Sequence, residues 1–382
     1  MSRFPGVSLS QWNDWRWQMR NRYTTAKGLE SFMKLSDDER AALERHGARL
    51  PVAVTPYYAS LLASEDASQG LRRSVVPVMD EFVHSTGEND DPLGEEPFRP
   101  VPAIVHRYPD RCLLLVTGFC GTYCRYCTRS RLVGDPVEFR VDMAAWQKGI
   151  DYIAATPAIR DVLITGGDPL TLSDEKLEWI LSRLRKIPHV EFLRIGSKIP
   201  VVLPQRVTPA LARIIKKYHP LYMSIHVIHP LEVTPEMQIA CGRLADAGIP
   251  LGGHTVLLKG INDDVEVMKT LMHRLLVSRV KPYYLFHCDP ISGSKHLRTS
   301  VDAGLDIIAG LRGHTTGYAV PHYAIDLAGA GGKVALVPEY VEGRMGDELL
   351  VRNYRGDLFR YPDMAERSPA SAGAPEVKPA LQ

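Results

Sequence analysis

The sequence predicts an α/β fold, an incomplete, TIM-like (β/α)6 barrel with an N-terminal helical arm and a small C-terminal extension. Short apolar strands alternate with amphipathic helices from about residue 110 to residue 326, and the preceding residues lack strand alternation. Strands that alternate with helices pair in parallel through right-handed crossovers. Reactive polar residues follow several of the predicted strands, as they do at the carboxyl-terminal face of barrels.

The helical arm is predicted over residues 1–105. Its helices include Asp37–His46 and Pro56–Leu62. Acidic, proline-rich loops such as Glu88–Pro102 join them.

The barrel core is predicted over residues 106–326. Its strands are predicted at Cys112–Thr117, Asp161–Thr165, Val190–Ile195, Leu221–His226, Pro250–Leu257 and Pro282–His287. Its helices are predicted near Val141–Ala154, Asp174–Lys186, Thr208–Lys217, Thr234–Ala247, Asp263–Leu276 and Val301–Leu311. Residues 327–365 are predicted to form the C-terminal extension. Residues 366–382, which lack periodicity, are predicted to be a disordered tail.

The composition is that of a globular chain with a sizeable core. Of the 382 residues, 45% are hydrophobic and 24% are charged, and the formal net charge is +2. This charge gives no reason to expect nucleic acid or a membrane surface as partner, and no apolar run approaches the ~18 residues that span a bilayer. Six cysteines without an export signal predict a reducing, cytoplasmic location. Three of them, Cys112, Cys241 and Cys288, are expected in the core.

The other three cysteines, Cys120, Cys124 and Cys127, form a C-x3-C-x2-C pattern directly after the first predicted barrel strand. A zinc site normally has four protein ligands, and no fourth Cys or His follows closely. A zinc knuckle that lacks one ligand is the alternative. Three thiolates on one loop suit a [4Fe–4S] cluster with one open iron, because Cys sulfur holds such clusters. The pattern resembles that of the radical S-adenosylmethionine (SAM) superfamily.

Further segments resemble the lysine 2,3-aminomutase family, from about residue 12 to residue 362. The resemblance is carried by Trp12–Trp17, His106–Arg111, Thr128–Arg131, Pro200–Arg206, Leu311–Thr315 and Gly331–Lys333. It implies a cytoplasmic isomerase that uses a [4Fe–4S] cluster, SAM and pyridoxal 5′-phosphate (PLP). Members of this family move an α-amino group to the β-carbon.

Lys333 follows a glycine-rich stretch that lets the backbone approach a ligand closely. A lysine amine can form a Schiff base with an aldehyde cofactor, although a surface lysine in a turn is the alternative. The resemblance implies that Lys333 is the catalytic PLP lysine. It also implies that Arg107 and Arg111 bind the PLP phosphate, which guanidinium groups recognise bidentately. Solvated surface charge is the alternative for these two arginines.

The resemblance also assigns SAM contacts. Gly166, Gly167 and Asp168 match the superfamily's Gly-Gly-acid motif after the second strand, where small residues would leave room for the methionine part of SAM. An ordinary glycine turn is the alternative. Tyr126 is expected to form an aromatic wall near the adenine. His226 is expected either to line the SAM pocket or to be structural.

Substrate choice is predicted from Arg129, Asp289 and Asp326. The resemblance implies that Arg129 anchors the substrate α-carboxylate and that the two aspartates bind a distal ammonium group. Two neighbouring buried carboxylates are costly unless a cation joins them. They therefore predict a basic amino acid and oppose glutamate. Pairing of the aspartates with Lys295 or Arg298 is the alternative, and an arginine substrate would satisfy the same carboxylates.

Two departures from the family pattern concern metal and cofactor sites. The region after Tyr361 has no cysteine, and Asp264 stands where members with an intersubunit zinc site place a ligand. We therefore predict no zinc, and expect a homo-oligomer, either a dimer or a tetramer. His254 stands where a glutamine is expected near SAM.

The leading hypothesis is a SAM- and PLP-dependent 2,3-aminomutase that converts L-lysine to β-lysine, with flavodoxin or ferredoxin as electron donor. Arginine is the runner-up substrate. A hypothesis of another class is a cluster-carrying electron-transfer or scaffold protein, which would need neither a reactive lysine nor the Arg107 and Arg111 pair.

Overall fold

A computed structural model describes residues 4–45, 50–134 and 141–363. Its α-helices are α1 Leu9–Asn13, α2 Trp15–Arg20, α3 Ala26–Glu30, α4 Asp37–Glu44, α5 Pro56–Ala59, α6 Gly70–Arg73, α7 Met143–Ala154, α8 Asp174–Leu184, α9 Ile199–Val202, α10 Pro209–Lys216, α11 Pro235–Asp246, α12 Val265–Val277 and α13 Val301–Leu311. Its strands are β1 Ile104–Tyr108, β2 Arg111–Thr117, β3 Asp161–Gly166, β4 Phe192–Ser197, β5 Leu221–His226, β6 Leu251–Leu257, β7 Lys281–His287, β8 His322–Leu327, β9 Gly332–Ala335, β10 Val341–Met345, β11 Glu348–Arg352 and β12 Leu358–Pro362.

Strands β1 to β9 form one sheet in chain order. Strands β2 to β8 pair in parallel, whereas β1 and β9 are antiparallel to their neighbours β2 and β8. One row of buried apolar residues crosses five strands in register: Leu114, Ile164, Ile195, Met223 and Leu251. Burial of such rows drives a parallel sheet to curve around a packed core. The predicted α/β barrel is confirmed.

The two edges of this sheet meet through side chains. The backbone N–H of Lys333 on β9 donates to the hydroxyl of Tyr108 on β1 at 3.0 Å. Arg107 of β1 and Asp326 of β8 form an ion pair at 2.9 Å. The barrel is therefore incomplete in its backbone hydrogen bonding and is joined by polar contacts at this point.

The six predicted strands correspond to β2 through β7. Six further strands were not predicted. The expectation that the chain up to residue 105 lacks strands is wrong at its end, because β1 begins at Ile104. Asp326 and Lys333, which come after the last predicted strand, Pro282–His287, lie within strands β8 and β9. Strand β9 has four residues and starts with glycine, so its sequence carries little of the alternation that marks a strand.

The six predicted barrel helices correspond to α7, α8, α10, α11, α12 and α13. Each begins after a side chain that accepts a hydrogen bond from a first-turn N–H: Asp142, Ser173, Thr208, Thr234, Asp264 and Ser300. Such caps satisfy backbone donors that have no partner within the helix. Asp264, which the resemblance places at a zinc-ligand position, is one of these caps.

The N-terminal helices share the barrel's hydrophobic core. Trp12, Leu29 and Tyr58 belong to the same buried cluster as the strand residues. The predicted helices near Asp37 and Pro56 are confirmed as α4 and α5, although His46 lies outside the described residues.

The core placement of the three other cysteines is also confirmed, because each exposes 2% of its surface or less: Cys112, Cys241 and Cys288.

The chain divides into two compact units between Val337 and Pro338. In the second unit, β10, β11 and β12 form an antiparallel sheet in that order. The domain limits that the sequence indicates remain predictions, and the predicted tail at residues 366–382 lies outside the described residues. No helix in the described ranges is both long and apolar enough to cross a membrane.

Candidate functional site

The cysteine loop follows β2 and holds Cys120, Cys124 and Cys127, none of which forms a disulfide. Cys120 and Cys127 pack against a small apolar cluster that includes Leu50 and Val133. Burial, followed by the charge of Cys124, raises the pKa of the Cys127 thiol to about 11. Burial likewise raises the pKa of the other two thiols. A positively charged metal group would supply the charge that lets all three bind as thiolates.

The chemistry of these donors fits an iron–sulfur cluster. In the described ranges, no three His, Cys, Asp or Glu side chains are close enough to hold a single metal ion. A four-iron cluster takes its cysteine sulfurs on different irons, so its ligands need not converge on one point. Three thiols on a loop with apolar surroundings meet that requirement.

Two arginines, of which Arg125 is buried, hold the cysteine loop in place. Arg125 forms a bidentate pair with Glu81, with contacts of 2.8 and 2.5 Å, and donates to the carbonyl of Leu50 at 2.8 Å. Arg22 donates to the carbonyl of Cys120 at 2.7 Å. Sequence reasoning missed both contacts, because the partners are distant along the chain and share no local motif.

The glycines after β3 allow two loops to touch. A Cβ atom on Gly166 would lie 2.5 Å from the carbonyl oxygen of Thr117, and Gly166 has φ of +126°. A Cβ atom on Gly167 would lie 2.5 Å from the carbonyl oxygen of Phe119. Only glycine fits such approaches. The structure therefore gives these residues a packing role, and the space they would leave for SAM stays a prediction.

Asp168 is buried and anchors the start of the loop after β4. Its carboxylate accepts hydrogen bonds from the Ser197 hydroxyl at 2.8 Å and from the backbone N–H groups of Leu170, Lys198 and Ile199 at 3.1, 2.7 and 3.0 Å. Burial raises the pKa of Asp168 to about 6. All of these partners belong to the protein, so this side chain organises the loops.

A row of aromatic rings crosses β5, β6 and β7. The rings of His226 and His254 stack with centroids 4.0 Å apart, and His254 lies 4.5 Å from Phe286. The Nζ atom of Lys333 lies 5.6 Å from the Phe286 ring centroid. Burial lowers the pKa of His226 to about 3, so this imidazole is neutral. The row joins the end of β5, where SAM contacts are predicted, to the predicted PLP lysine.

Tyr126 lies against a separate apolar cluster that includes Ile228 and Leu258. Its hydroxyl contacts Cys124, and burial raises the pKa of Tyr126 well above its usual value. The ring therefore lies beside the cysteine loop, which is compatible with its predicted role near an adenine.

Asp326 joins the predicted PLP lysine to one predicted phosphate-binding arginine. Its two oxygens contact Lys333 Nζ at 2.6 Å and Arg107 Nη1 at 2.9 Å. The Asp326 and Arg107 side chains are 7% and 8% exposed, whereas Lys333 is 36% exposed. Arg107 also donates to the carbonyls of Leu327 and Gly329. The lysine amine is thus held in place and remains accessible.

The ring of Tyr108 lies among the three cationic side chains that are predicted to bind PLP. Its ring centroid lies 3.8 Å from the Arg111 guanidinium, 5.9 Å from that of Arg107 and 5.9 Å from Lys333 Nζ. Arg111 is half exposed and also pairs with Asp110 at 2.9 Å. Three cations around one aromatic ring fit a phosphate ester that carries an aromatic aldehyde. Sequence reasoning did not assign Tyr108, although it lies within the matching segment.

Asp289 follows β7 and belongs to the same charged group. Burial and the neighbouring charge of Asp326 raise its pKa to about 7, and Lys333, Arg107 and Arg129 act in the opposite direction. Four other predicted site residues therefore lie within electrostatic reach of Asp289: Asp326, Lys333, Arg107 and Arg129. Asp289 forms no ion pair with Lys295 or Arg298, so the alternative pairing is not observed among the described residues.

Arg129 has an internal partner that the sequence did not reveal. Glu95 accepts hydrogen bonds from Nε at 3.0 Å and from Nη2 at 2.5 Å. The two residues are 34 positions apart, and Glu95 lies in a loop whose sequence signals only acidity and turns. No local pattern could have identified this pair.

Comparisons with known proteins identify the family of the chain. Residues 114–271 match the family model "Radical SAM superfamily", and residues 308–379 match "Lysine-2,3-aminomutase". The chain is 48% identical over 360 residues to an L-lysine 2,3-aminomutase of Fusobacterium nucleatum. The aligned residues make up 94% of this chain and 84% of the relative. The chain belongs to the lysine 2,3-aminomutase family.

Two other relatives have a similar sequence identity to the chain. An L-lysine 2,3-aminomutase of Clostridium subterminale is 46% identical over 366 residues, 96% of this chain and 88% of the relative. A glutamate 2,3-aminomutase of Clostridioides difficile is 42% identical over 352 residues, 92% of this chain and 83% of the relative. Family membership makes the chain an isomerase, and its radical SAM domain implies a [4Fe–4S] cluster and SAM.

Proposed function

We propose that this protein is a PLP-dependent radical SAM aminomutase that converts L-lysine to β-lysine. One observation carries the proposal: Lys333, Arg107 and two acidic side chains, Asp289 and Asp326, form one charged group. A reactive amine beside carboxylates suits both an aldehyde cofactor and a substrate with a cationic far end.

Each residue has a binding or orienting task in this proposal. Cys120, Cys124 and Cys127 would hold the cluster, and Lys333 with Arg107 and Arg111 would hold PLP. When bound, the cluster and SAM supply a carbon radical, and PLP carries the amino nitrogen as it moves between carbons. The protein places the substrate and excludes water, which for radical chemistry prevents side reactions.

Substrate orientation would come from both ends of the amino acid. Arg129 would bind the α-carboxylate, while Asp289 and Asp326 would bind the distal ammonium group. In the cofactor-free chain, Asp326 forms ion pairs with both Lys333 and Arg107. A PLP phosphate on Arg107 and an aldehyde on Lys333 would remove both partners and leave Asp326 free for a substrate cation.

Two other substrates require direct comparison. Arginine would satisfy the same carboxylates through its guanidinium group. Glutamate is the substrate named for the Clostridioides difficile relative, but its far carboxylate would be repelled by Asp289 and Asp326. We therefore expect activity with lysine first, with arginine second, and none with glutamate.

The test is anaerobic turnover after reconstitution with iron, sulfide and PLP, in the presence of SAM and a reductant. Lysine, arginine and glutamate are incubated in parallel, and β-amino acid products are identified by mass spectrometry. We expect β-lysine. Protein with a full cluster and bound pyridoxal that forms none would contradict the proposal.

A second measurement addresses the non-enzyme alternative. Borohydride reduction followed by peptide mass spectrometry should place a pyridoxyl group on Lys333, and Lys333→Arg should abolish it. A chain that binds a cluster but is not labelled would favour an electron-transfer or scaffold role.

The remaining assignments extend the proposal. We place the protein in the cytoplasm, because cluster thiols require a reducing compartment, and we propose flavodoxin or ferredoxin as electron donor. A homo-oligomer without zinc is expected. We also retain the sequence-based segments 1–105, 106–326, 327–365 and 366–382 as the proposed domain organisation.

A further inference from the structure

We infer that Glu95 is a positioning residue that dictates which edge of Arg129 receives the substrate carboxylate. This inference rests on the proposed function, in which Arg129 binds the α-carboxylate. It assigns a specific task to an acidic residue in a loop of the N-terminal region.

The contact between the two side chains is bidentate and mostly buried. Glu95 is 5% exposed and Arg129 is 18% exposed. Parallel hydrogen bonds from Nε and Nη2 fix the plane of the guanidinium as well as its position. A long arginine side chain that is otherwise free to change rotamer is thereby held in one orientation.

The loop that carries Glu95 is itself anchored. Asp91 accepts a hydrogen bond from the Glu96 N–H at 3.0 Å and pairs with Arg131 at 3.1 Å. The backbone N–H of Gly329 donates to the carbonyl of Leu93 at 3.0 Å. Glu95 is therefore tied both to the cysteine loop and to the glycine turn before Lys333.

A guanidinium group can bind a carboxylate on its Nε–Nη2 side or on its Nη1–Nη2 end. Glu95 occupies the Nε–Nη2 side. Nη1 donates no hydrogen bond to any residue that the structure describes. An incoming α-carboxylate is therefore directed to the Nη1–Nη2 end.

Glu95→Gln would break the bidentate pair and free part of the competing side, because an amide offers Arg129 one acceptor oxygen where the carboxylate offers two. A substrate carboxylate could then bind Arg129 at either edge. Its attraction to Arg129 would not weaken, because the negative charge of Glu95, which competes for the guanidinium, would be gone. The reacting carbons would be displaced, however, and a misplacement of about 1 Å can cost about 10²-fold in rate. The expected signature is a lower kcat with substrate affinity retained.

The experiment compares Glu95→Gln with wild type and with Glu96→Gln as matched control. Glu96 lies on the same loop, is 53% exposed and pairs with Arg99 and Arg131 instead of Arg129. Three quantities are measured on reconstituted protein: kcat with lysine, the lysine Kd from equilibrium dialysis without SAM, and iron per chain.

For Glu95→Gln, kcat should fall at least about tenfold, with the lysine Kd within about threefold of wild type or tighter and with iron content unchanged. Glu96→Gln should change none of the three. An unchanged kcat for Glu95→Gln would overturn the inference. So would a joint loss of iron and lysine affinity, which would indicate a purely structural role.

A separate variant tests the underlying assignment of Arg129. Wild-type protein should bind lysine more tightly than lysinamide, which lacks the carboxylate, and Arg129→Gln should abolish that preference. If Arg129→Gln keeps the preference, the carboxylate assignment in the proposed function fails. If it loses the preference while Glu95→Gln retains full kcat, only the inference about Glu95 fails.

Discussion

Asp289 and Asp326 differ sharply in their surroundings, although their predicted roles are the same. Asp326 contacts two cations of its own chain, Lys333 and Arg107. Asp289 forms no ion pair within the described residues, and its pKa is raised to about 7. Asp289 is thus the carboxylate whose charge a bound substrate cation would stabilise most.

Asp289→Asn should stabilise the cofactor-free chain at pH 8. A carboxyl whose native pKa of about 7 exceeds its unfolded value of 3.8 binds more protons in the native state. Stability is therefore lost as pH rises between these values. We expect the variant to gain roughly 1–3 kcal/mol at pH 8 and less at pH 5. Urea unfolding at both pH values measures this, and equal effects at the two would contradict it.

Lysine affinity should increase as pH rises through about 7. Only the ionised Asp289 attracts the distal ammonium group, and the ionised fraction of a group with that pKa rises about tenfold from pH 6 to pH 8. The lysine Kd of reconstituted protein should therefore fall as pH rises. In Asp289→Asn the affinity should be weaker and the pH profile flat. A wild-type profile without slope would exclude control by Asp289.

At the scale of elements, the loops after β2 and β3 act as one unit. The Gly167 N–H donates to the Thr117 carbonyl at 2.5 Å, and the Asp168 N–H donates to the Phe119 carbonyl at 2.8 Å. These bonds fix the residues directly before Cys120. The cysteine loop is therefore shaped by the neighbouring strand's turn as well as by its own sequence.

Gly167→Ala should weaken both the fold and cluster binding. The added Cβ would lie 2.5–2.6 Å from backbone atoms of Phe119, which cannot move aside as a side chain can. We expect a loss of about 1–3 kcal/mol in stability and reduced iron per chain. Gly242→Ala, in α11 with no atom within 4 Å of the new Cβ, is the control. It should gain about 0.5–1 kcal/mol and keep its iron.

At the scale of the first compact unit, the N-terminal residues belong to the barrel's own structure. Tyr58 donates to Glu232 at 2.8 Å, and Glu232 also pairs with the buried Lys198 at 2.7 Å. Thr55 donates to the carbonyl of Val202 at 2.5 Å. The bonds of Tyr58 and Thr55 thus join residues that are 174 and 147 positions apart in the chain.

Tyr58→Phe should destabilise the whole unit in a single transition. The change leaves one oxygen of the buried Glu232 without its tyrosine donor, at a cost of about 1–3 kcal/mol. Thermal unfolding should show one transition at lower temperature by both circular dichroism and tryptophan fluorescence. Tyr318→Phe, at a side chain that is 71% exposed, should leave the midpoint unchanged. Separate transitions would show that the N-terminal helices fold independently.

The sequence by itself determined the central strands, the barrel helices and the residue types of the site. Alternation of apolar residues and capping side chains are local, so β2–β7 and the capped helices could be predicted within a few residues. The cysteine spacing and the segment around Lys333 likewise lie within short stretches of chain.

Tertiary structure alone decided the partnerships that orient those residues. Glu95 binds Arg129, Tyr108 lies among three cations, and Asp326 holds Lys333 and Arg107. Strands β1, β8 and β9 also escaped prediction, because their stability comes from pairing with neighbours in the sheet. The physical reason is common to all: hydrogen bonds and charge pairs between distant segments leave no periodic trace in the sequence that forms them.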